Sequence, residues 1–195
     1  MTDKIKQLAK LFLTYFWNGS KVIRFGKFGQ GSSIMKGLQV HNPKGIYISN
    51  NVRIGKSCRL SCYSTQSKNG TITVEDNCYI GDYLSIMTAD DVLIREDTLF
   101  ASFVTILGEN HGMDPECGIK YGLQDLKGSR VVISDHCWIG EKVIILPGVT
   151  IGAYCIIGAG SVVTHDIPSY SIAVGNPAKV VKVYSFEQKK WIKVE

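Results

Sequence analysis

The sequence predicts an all-β solenoid, a parallel β-helix of about six triangular coils, and three observations predict it. From Ile133 the aliphatic positions run Ile133, Ile139, Ile145, Ile151, Ile157 and Val163 at an unbroken spacing of six. Glycine follows directly at Gly140, Gly152 and Gly158. The chain holds 20 Gly against 5 Pro, with Ile and Val throughout, as expected of many short strands between tight turns. A spacing of six is neither helical nor a simple alternation. It arises when each short strand ends in a corner and three strands close one coil, so that one aliphatic per face enters a shared core.

The lead-in, residues 1–27, places Ile5, Leu8, Phe12, Tyr15 and Phe16 at helical spacing before Asn18-Gly19. A short amphipathic helix that caps the first coil is expected there, with a membrane-surface helix as the alternative. The uncharged residues 11–20 are too few to cross a bilayer, and no small-residue cleavage site follows them. No stable membrane insertion and a cytoplasmic location are therefore expected.

The repeat occupies residues 28–182. Upstream it recurs in triplets: Phe28, Ile34, Val40; Ile48, Ile54, Leu60; Val74, Ile80, Ile86; Ile94, Phe100, Ile106. With the two C-terminal triplets, that makes six coils. Joins of eight residues connect some coils, but Leu60 to Val74 is a step of 14 and Ile106 to Ile133 a step of 27. Two corners therefore extrude loops. The first, 61–71, is polar, and the second, 107–132, is long enough to expect a functional role.

Six cysteines suggest a metal or redox set, but the register argues otherwise. Cys58, Cys78, Cys137 and Cys155 each fall four residues after a repeat aliphatic, where other repeats carry Thr98, Val104, Val143, Val149 and Ser161. They are expected as small buried fillers. No CxxC pair exists, so no metal is expected. In the tail, 183–195, Ser185 and Gln188 form an S-x-x-Q capping box ahead of an expected last helical turn through Trp191.

The whole has 195 residues, 45% of them hydrophobic, with 22 Lys plus Arg against 17 Asp plus Glu for a net charge of +5. That excludes disorder and indicates one domain with a substantial core. No basic run exceeds pairs such as Lys189-Lys190, so no nucleic-acid partner is expected. Mild basicity suits a polyphosphate ligand equally well.

The stretch from Trp138, WIGEKVIILPGVTIGAYCIIGAGSVVTHDIPSYSIAVGNPAKVV, resembles the C-terminal half of the hexapeptide-repeat acyltransferases. Within them it is most similar to the galactoside, maltose and polysaccharide O-acetyltransferases. The resemblance implies a left-handed β-helix, a homotrimer, and acetyl-CoA in the groove between neighbouring subunits. Handedness comes from the resemblance alone, because general topology rules favour right-handed crossovers.

It also points to His111 as the catalytic base, in Gly108-Glu109-Asn110-His111-Gly112-Met113-Asp114-Pro115 at the start of the long loop. Acetyl transfer from a thioester to a sugar hydroxyl requires the alcohol proton to leave as the C–O bond forms, and an imidazole of ordinary pKa suits that step at neutral pH. Asp114, Glu116 and Glu109 are all close enough in sequence to orient the ring. Cys117 lies in the loop without an evident basic partner, so a covalent route is the lesser reading. For acetyl-CoA the resemblance points to Trp138, Gly140, Ala159, Gly160 and Thr164. Where the family often reads V-T-K-D, this chain has His165, which leaves Lys179 and Lys182 as further phosphate partners. Asp82, Ser85 and Asp114 are candidates for the acceptor.

The expected activity is therefore transfer of acetyl from acetyl-CoA to a hydroxyl of a sugar or polysaccharide precursor. An N-acetyltransferase on an amino sugar or nucleotide-linked sugar keeps the same base, and a non-catalytic scaffold keeps the same fold. A β-helix hydratase of the γ-carbonic anhydrase type needs three histidines converging on zinc across the trimer interface, and His41, His111, His136 and His165 lack that family's paired spacing after the catalytic coil.

Overall fold

The computed structural model describes residues 24–194, so the helix expected near the start lies outside the described residues. Three parallel sheets wrap one core, and the six-residue spacing becomes three vertical columns. On face A, Phe28, Ile48, Val74, Ile94, Ile133 and Ile151 stand in register. Face B stacks Ile34, Ile54, Ile80, Phe100, Ile139 and Ile157. Face C stacks Val40, Leu60, Ile86, Ile106, Ile145 and Val163. From the second coil upward every member of these columns is at most 2% exposed.

The corners turn through residues in the left-handed region. On the A–B edge these are Asn51, Asn77, Asp97, His136, Tyr154 and Tyr170; on the B–C edge, Ser57, Tyr83, Phe103, Lys142 and Gly160. A side chain in that conformation costs about 1–2 kcal/mol. Stacking supplies the compensation: each such N–H donates to a carbonyl of the coil before, as His136 to Glu96 at 3.1 Å, Phe103 to Asp82 at 2.8 Å and Gly160 to Glu141 at 2.8 Å.

The filler cysteines sit inside as expected, and each thiol donates to a carbonyl of the next coil: Cys58 to Gly81 at 3.3 Å, Cys78 to Arg95 at 3.0 Å, Cys137 to Gly152 at 3.1 Å and Cys155 to Pro168 at 3.0 Å. All six cysteines are free thiols. Burial pushes Cys58 up to about 11 and Cys62 and Cys78 up to about 12, so these thiols stay protonated and inert.

Two features differ from expectation. A partial seventh coil follows the sixth, with Ile167 bridging to Ile151 and Ala173 standing on Ile157. The tail is then a hairpin of strands rather than a helix: Ser171–Gly175, Ala178–Ser185 and Lys190–Lys193 pair antiparallel and extend face B. Ser185 Oγ does accept the Gln188 N–H, at 3.1 Å, as the capping box requires. That bond closes a turn instead of opening a helix, because the flanking residues pair as antiparallel strands. They place Tyr184 opposite Trp191, with ring centroids 5.4 Å apart. The strand Ala178–Ser185 thus runs through the expected boundary at residue 182.

Both extruded loops leave the C–A edge. The shorter closes on a Ser64–Asn69 bridge. In the longer, the strand Thr105–Asn110 overruns its corner, and its end pairs antiparallel with Lys127–Gly128.

Candidate active site

His111 directly follows the strand Thr105–Asn110, exposed at the base of the long loop. An open cavity of about 430 Å³ lies beside it, lined by Asn110, His111, Gly112, Met113 and Tyr121. The residues on either side are held: Asn110 pairs with Lys127, and the Gly112 N–H donates to the Asp125 carbonyl at 3.0 Å. The ring itself is not. Among the described residues no group hydrogen-bonds the His111 imidazole, whereas His41 packs on the Tyr63 ring at 5.2 Å, His136 lies 3.6 Å from Asp97 and against Tyr154, and His165 Nδ1 is 2.8 Å from Thr164 Oγ1.

Asp114 turns into its own loop, its carboxylate accepting the Glu116 N–H at 2.8 Å, so it does not orient the ring in this chain. Asp82 spends its carboxylate on the coil below, accepting the Lys56 N–H at 2.9 Å and pairing with Lys56 Nζ at 3.5 Å. Ser85 lies beside Thr105, where the strand leading to His111 begins. Six extended residues span up to about 20 Å, so one protomer does not bring Ser85 or Asp82 to His111.

The residues expected to hold acetyl-CoA lie elsewhere. Trp138 stands on the outside of face B, 51% exposed, between Leu99 and Ile156. Gly140, Ala159 and Gly160 occupy the B–C edge, Thr164 and His165 the C–A edge, and Lys179 and Lys182 the exposed side of the face B hairpin. The two edge glycines differ in what they meet. A Cβ on Gly140 falls 2.6 Å from the Ala159 nitrogen and 2.7 Å from the Ile157 carbonyl, so coil stacking alone requires glycine there. Gly160 has φ +71° and open space where its side chain would be, beside exposed Ala159. That bare stretch of backbone is where an extended ligand can approach closely. Within one protomer, the base and this edge stand on opposite sides of face C. Chemistry that uses both therefore needs the loop of one protomer against the edge of another.

Gln124 and Asp125, which lace the His111 loop, were not legible in the sequence. They sit in a stretch without period, and no motif marks a side chain that bonds to backbone across a loop.

Four likenesses bear on this arrangement. Residues 130–165 match the family described as bacterial transferase hexapeptide (six repeats). The chain is 34% identical over 196 residues to WbbJ of Escherichia coli strain K12, provisionally named a lipopolysaccharide biosynthesis O-acetyl transferase, covering 97% of this chain and 92% of that one. Among solved structures, AntD of Bacillus cereus, an N-acyltransferase in complex with dTDP and 3-hydroxybutyryl-CoA, superposes with a TM-score of 0.70 at 25% identity, covering 84% of this chain and 86% of its own. A maltose O-acetyltransferase from Clostridium difficile 630 gives 0.52 at 26% identity, covering 93% and 88%. With these likenesses the coil is the left-handed parallel β-helix of acyltransferases.

Proposed function

We propose, from the premise that this chain belongs to the bacterial hexapeptide-repeat transferase family, that it is a CoA-dependent acetyltransferase acting on a hydroxyl of a sugar or polysaccharide precursor. His111 is its general base. The observation that carries this reading is that, of four histidines, His111 alone presents a ring engaged by nothing else among the described residues, beside a cavity and between two tethered neighbours. The neutral imidazole takes the acceptor hydroxyl proton as that oxygen attacks the thioester carbonyl. The imidazolium then returns the proton to the departing CoA sulfur. Because the base and the open B–C edge face different ways, the site forms between neighbouring protomers, and a homotrimer is the assembly proposed. Trp138, Gly140, Ala159, Gly160 and Thr164 line the donor side, with His165, Lys179 and Lys182 toward its phosphates. Asp114 contributes to the acceptor side from the loop that carries His111, and Asp82 and Ser85 from the neighbouring copy.

No helix among the described residues is long and apolar enough to cross a membrane. A cytoplasmic location, where acetyl-CoA is made, fits the proposed donor.

The likeness to AntD favours a second reading, acyl transfer to an amino sugar carried on a nucleotide. A panel of hydroxyl and amino acceptors, free and nucleotide-linked, assayed with acetyl-CoA by thiol release separates the two. Release with sugar or glycan hydroxyls, unchanged by EDTA, is the expected result. Release with amino sugars alone favours the second reading, and release with no acceptor overturns both.

A further inference from the structure

We propose that Gln124 is a positioning residue for His111, an inference that rests on His111 being the base. Residues 111–120 form no helix or strand, yet they carry the group that must be held still. The hairpin that holds them closes in steps. Glu109 pairs with Gly128 and Asn110 with Lys127; then the Gly112 N–H donates to the Asp125 carbonyl at 3.0 Å.

Beyond Gly112 the backbone ladder stops, and the Gln124 side chain continues it. Its Oε1 accepts the Asp114 N–H at 3.0 Å, while its Nε2 donates to the Asp114 carbonyl at 2.8 Å and to the Ile119 carbonyl at 2.9 Å. One carboxamide thus stands in for a strand partner at Asp114 and ties the far side of the loop as well. Its orientation is settled by its partners, since the oxygen meets an N–H and the nitrogen meets two carbonyls.

The fit is close. Gly112, the residue after His111, is buried in an otherwise exposed loop, and a Cβ there falls 2.7 Å from Gln124 Oε1 and 2.8 Å from Gln124 Cβ. The backbone leaving His111 therefore lies flat on Gln124. A second brace reaches the same place from the shorter loop, where Gln66 Nε2 donates to the Asp125 carboxylate at 2.6 Å. Without the Gln124 amide three bonds vanish; among the described residues the Asp114 and Ile119 carbonyls keep only the weak Cys117 thiol, at 3.3 and 3.8 Å, and the Asp114 N–H loses its acceptor. His111 then samples directions away from the acceptor, and misplacement by about 1 Å costs on the order of 10²-fold in rate.

The test is a double-mutant cycle of Gln124→Ala and His111→Ala, with turnover by thiol release on the best acceptor and acetyl-CoA affinity by calorimetry. Gln124→Ala is expected to lower kcat by about 10- to 100-fold with acetyl-CoA affinity within about twofold of wild type. The double variant is expected to be no slower than His111→Ala, because a residue that acts through His111 has nothing left to position once the imidazole is gone. Should Gln124→Ala fail to fold, Gln124→Glu replaces it in the same cycle; it keeps the volume and the acceptor to Asp114 but loses both donated bonds, and the same pattern is expected. Near wild-type kcat in the Gln124 variant overturns the proposal, as does a further loss in the double variant. Near wild-type turnover of His111→Ala alone removes the base assignment, and this proposal falls with it.

Discussion

If the site joins the His111 loop of one protomer to the B–C edge of its neighbour, two inactive variants should restore each other. His111→Ala removes the base and leaves the edge intact. Ala159→Trp places a large ring on exposed backbone beside Gly160 and leaves His111 intact. Position 159 lies outside the left-handed corner residues, so the substitution adds bulk without backbone strain. Each protein alone should be close to inactive. When the two are unfolded together in equal amounts and refolded, each site draws its loop and its edge independently from a random pair. A site is intact when the loop comes from the Ala159→Trp chain and the edge from the His111→Ala chain, which gives about a quarter of wild-type activity whatever the number of protomers in the ring. The assay is thiol release from acetyl-CoA, read against the two variants refolded separately. Activity no higher than the mean of those two would mean that each protomer builds its site alone, against the separation across face C.

Other consequences follow from the core. Phe100 is the one aromatic among the fully buried column residues, between Ile80 and Ile139, and Phe100→Ala should cost about 3–5 kcal/mol, read from the denaturant midpoint. A loss under about 1 kcal/mol would mean that the columns are not close-packed. The buried thiols make the fold sensitive to alkali. Their pKa is raised in the folded chain, so above the ordinary thiol value of 9.0 the unfolded chain binds fewer protons and stability falls as pH rises. Each of Cys58, Cys62 and Cys78 should remove roughly 1.4 kcal/mol per pH unit between about pH 9 and 11, with no effect at neutral pH. Unfolding free energies that stay flat across that window would contradict their burial. A thiol reagent should likewise modify Cys117 quickly in the native protein and the five buried cysteines only after unfolding.

The inward positions were legible because a solenoid repeats one local problem. Each coil presents an aliphatic to each face, so Ile133 to Val163 state the rule and Phe28 to Ile106 obey it. The filler cysteines were legible for the same reason. The C-terminal hairpin was misread because Ser185 and Gln188 make one local bond that serves a turn as well as a helix start. What decides between them is the cross-strand pairing of Val183 with Ile192 and Tyr184 with Trp191, and the edge of face B available for pairing. At the candidate site, the proposed base His111 could be picked out from its place after Ile106 together with the motif from Trp138. Its supports could not, since Gln124 and Asp125 act through loop closure, which leaves no spacing to read. Nor could the sequence place His111 and Gly160 on different edges of the prism, a feature of coil geometry on which the proposed shared site depends.

The role proposed for His111 is to take the proton of the acceptor. It is tested most directly by kcat for His111→Ala beside its acetyl-CoA affinity. Turnover lower by about 10²- to 10⁴-fold with donor binding unchanged is expected, because only the proton transfer is removed. Turnover close to that of the wild type would contradict it.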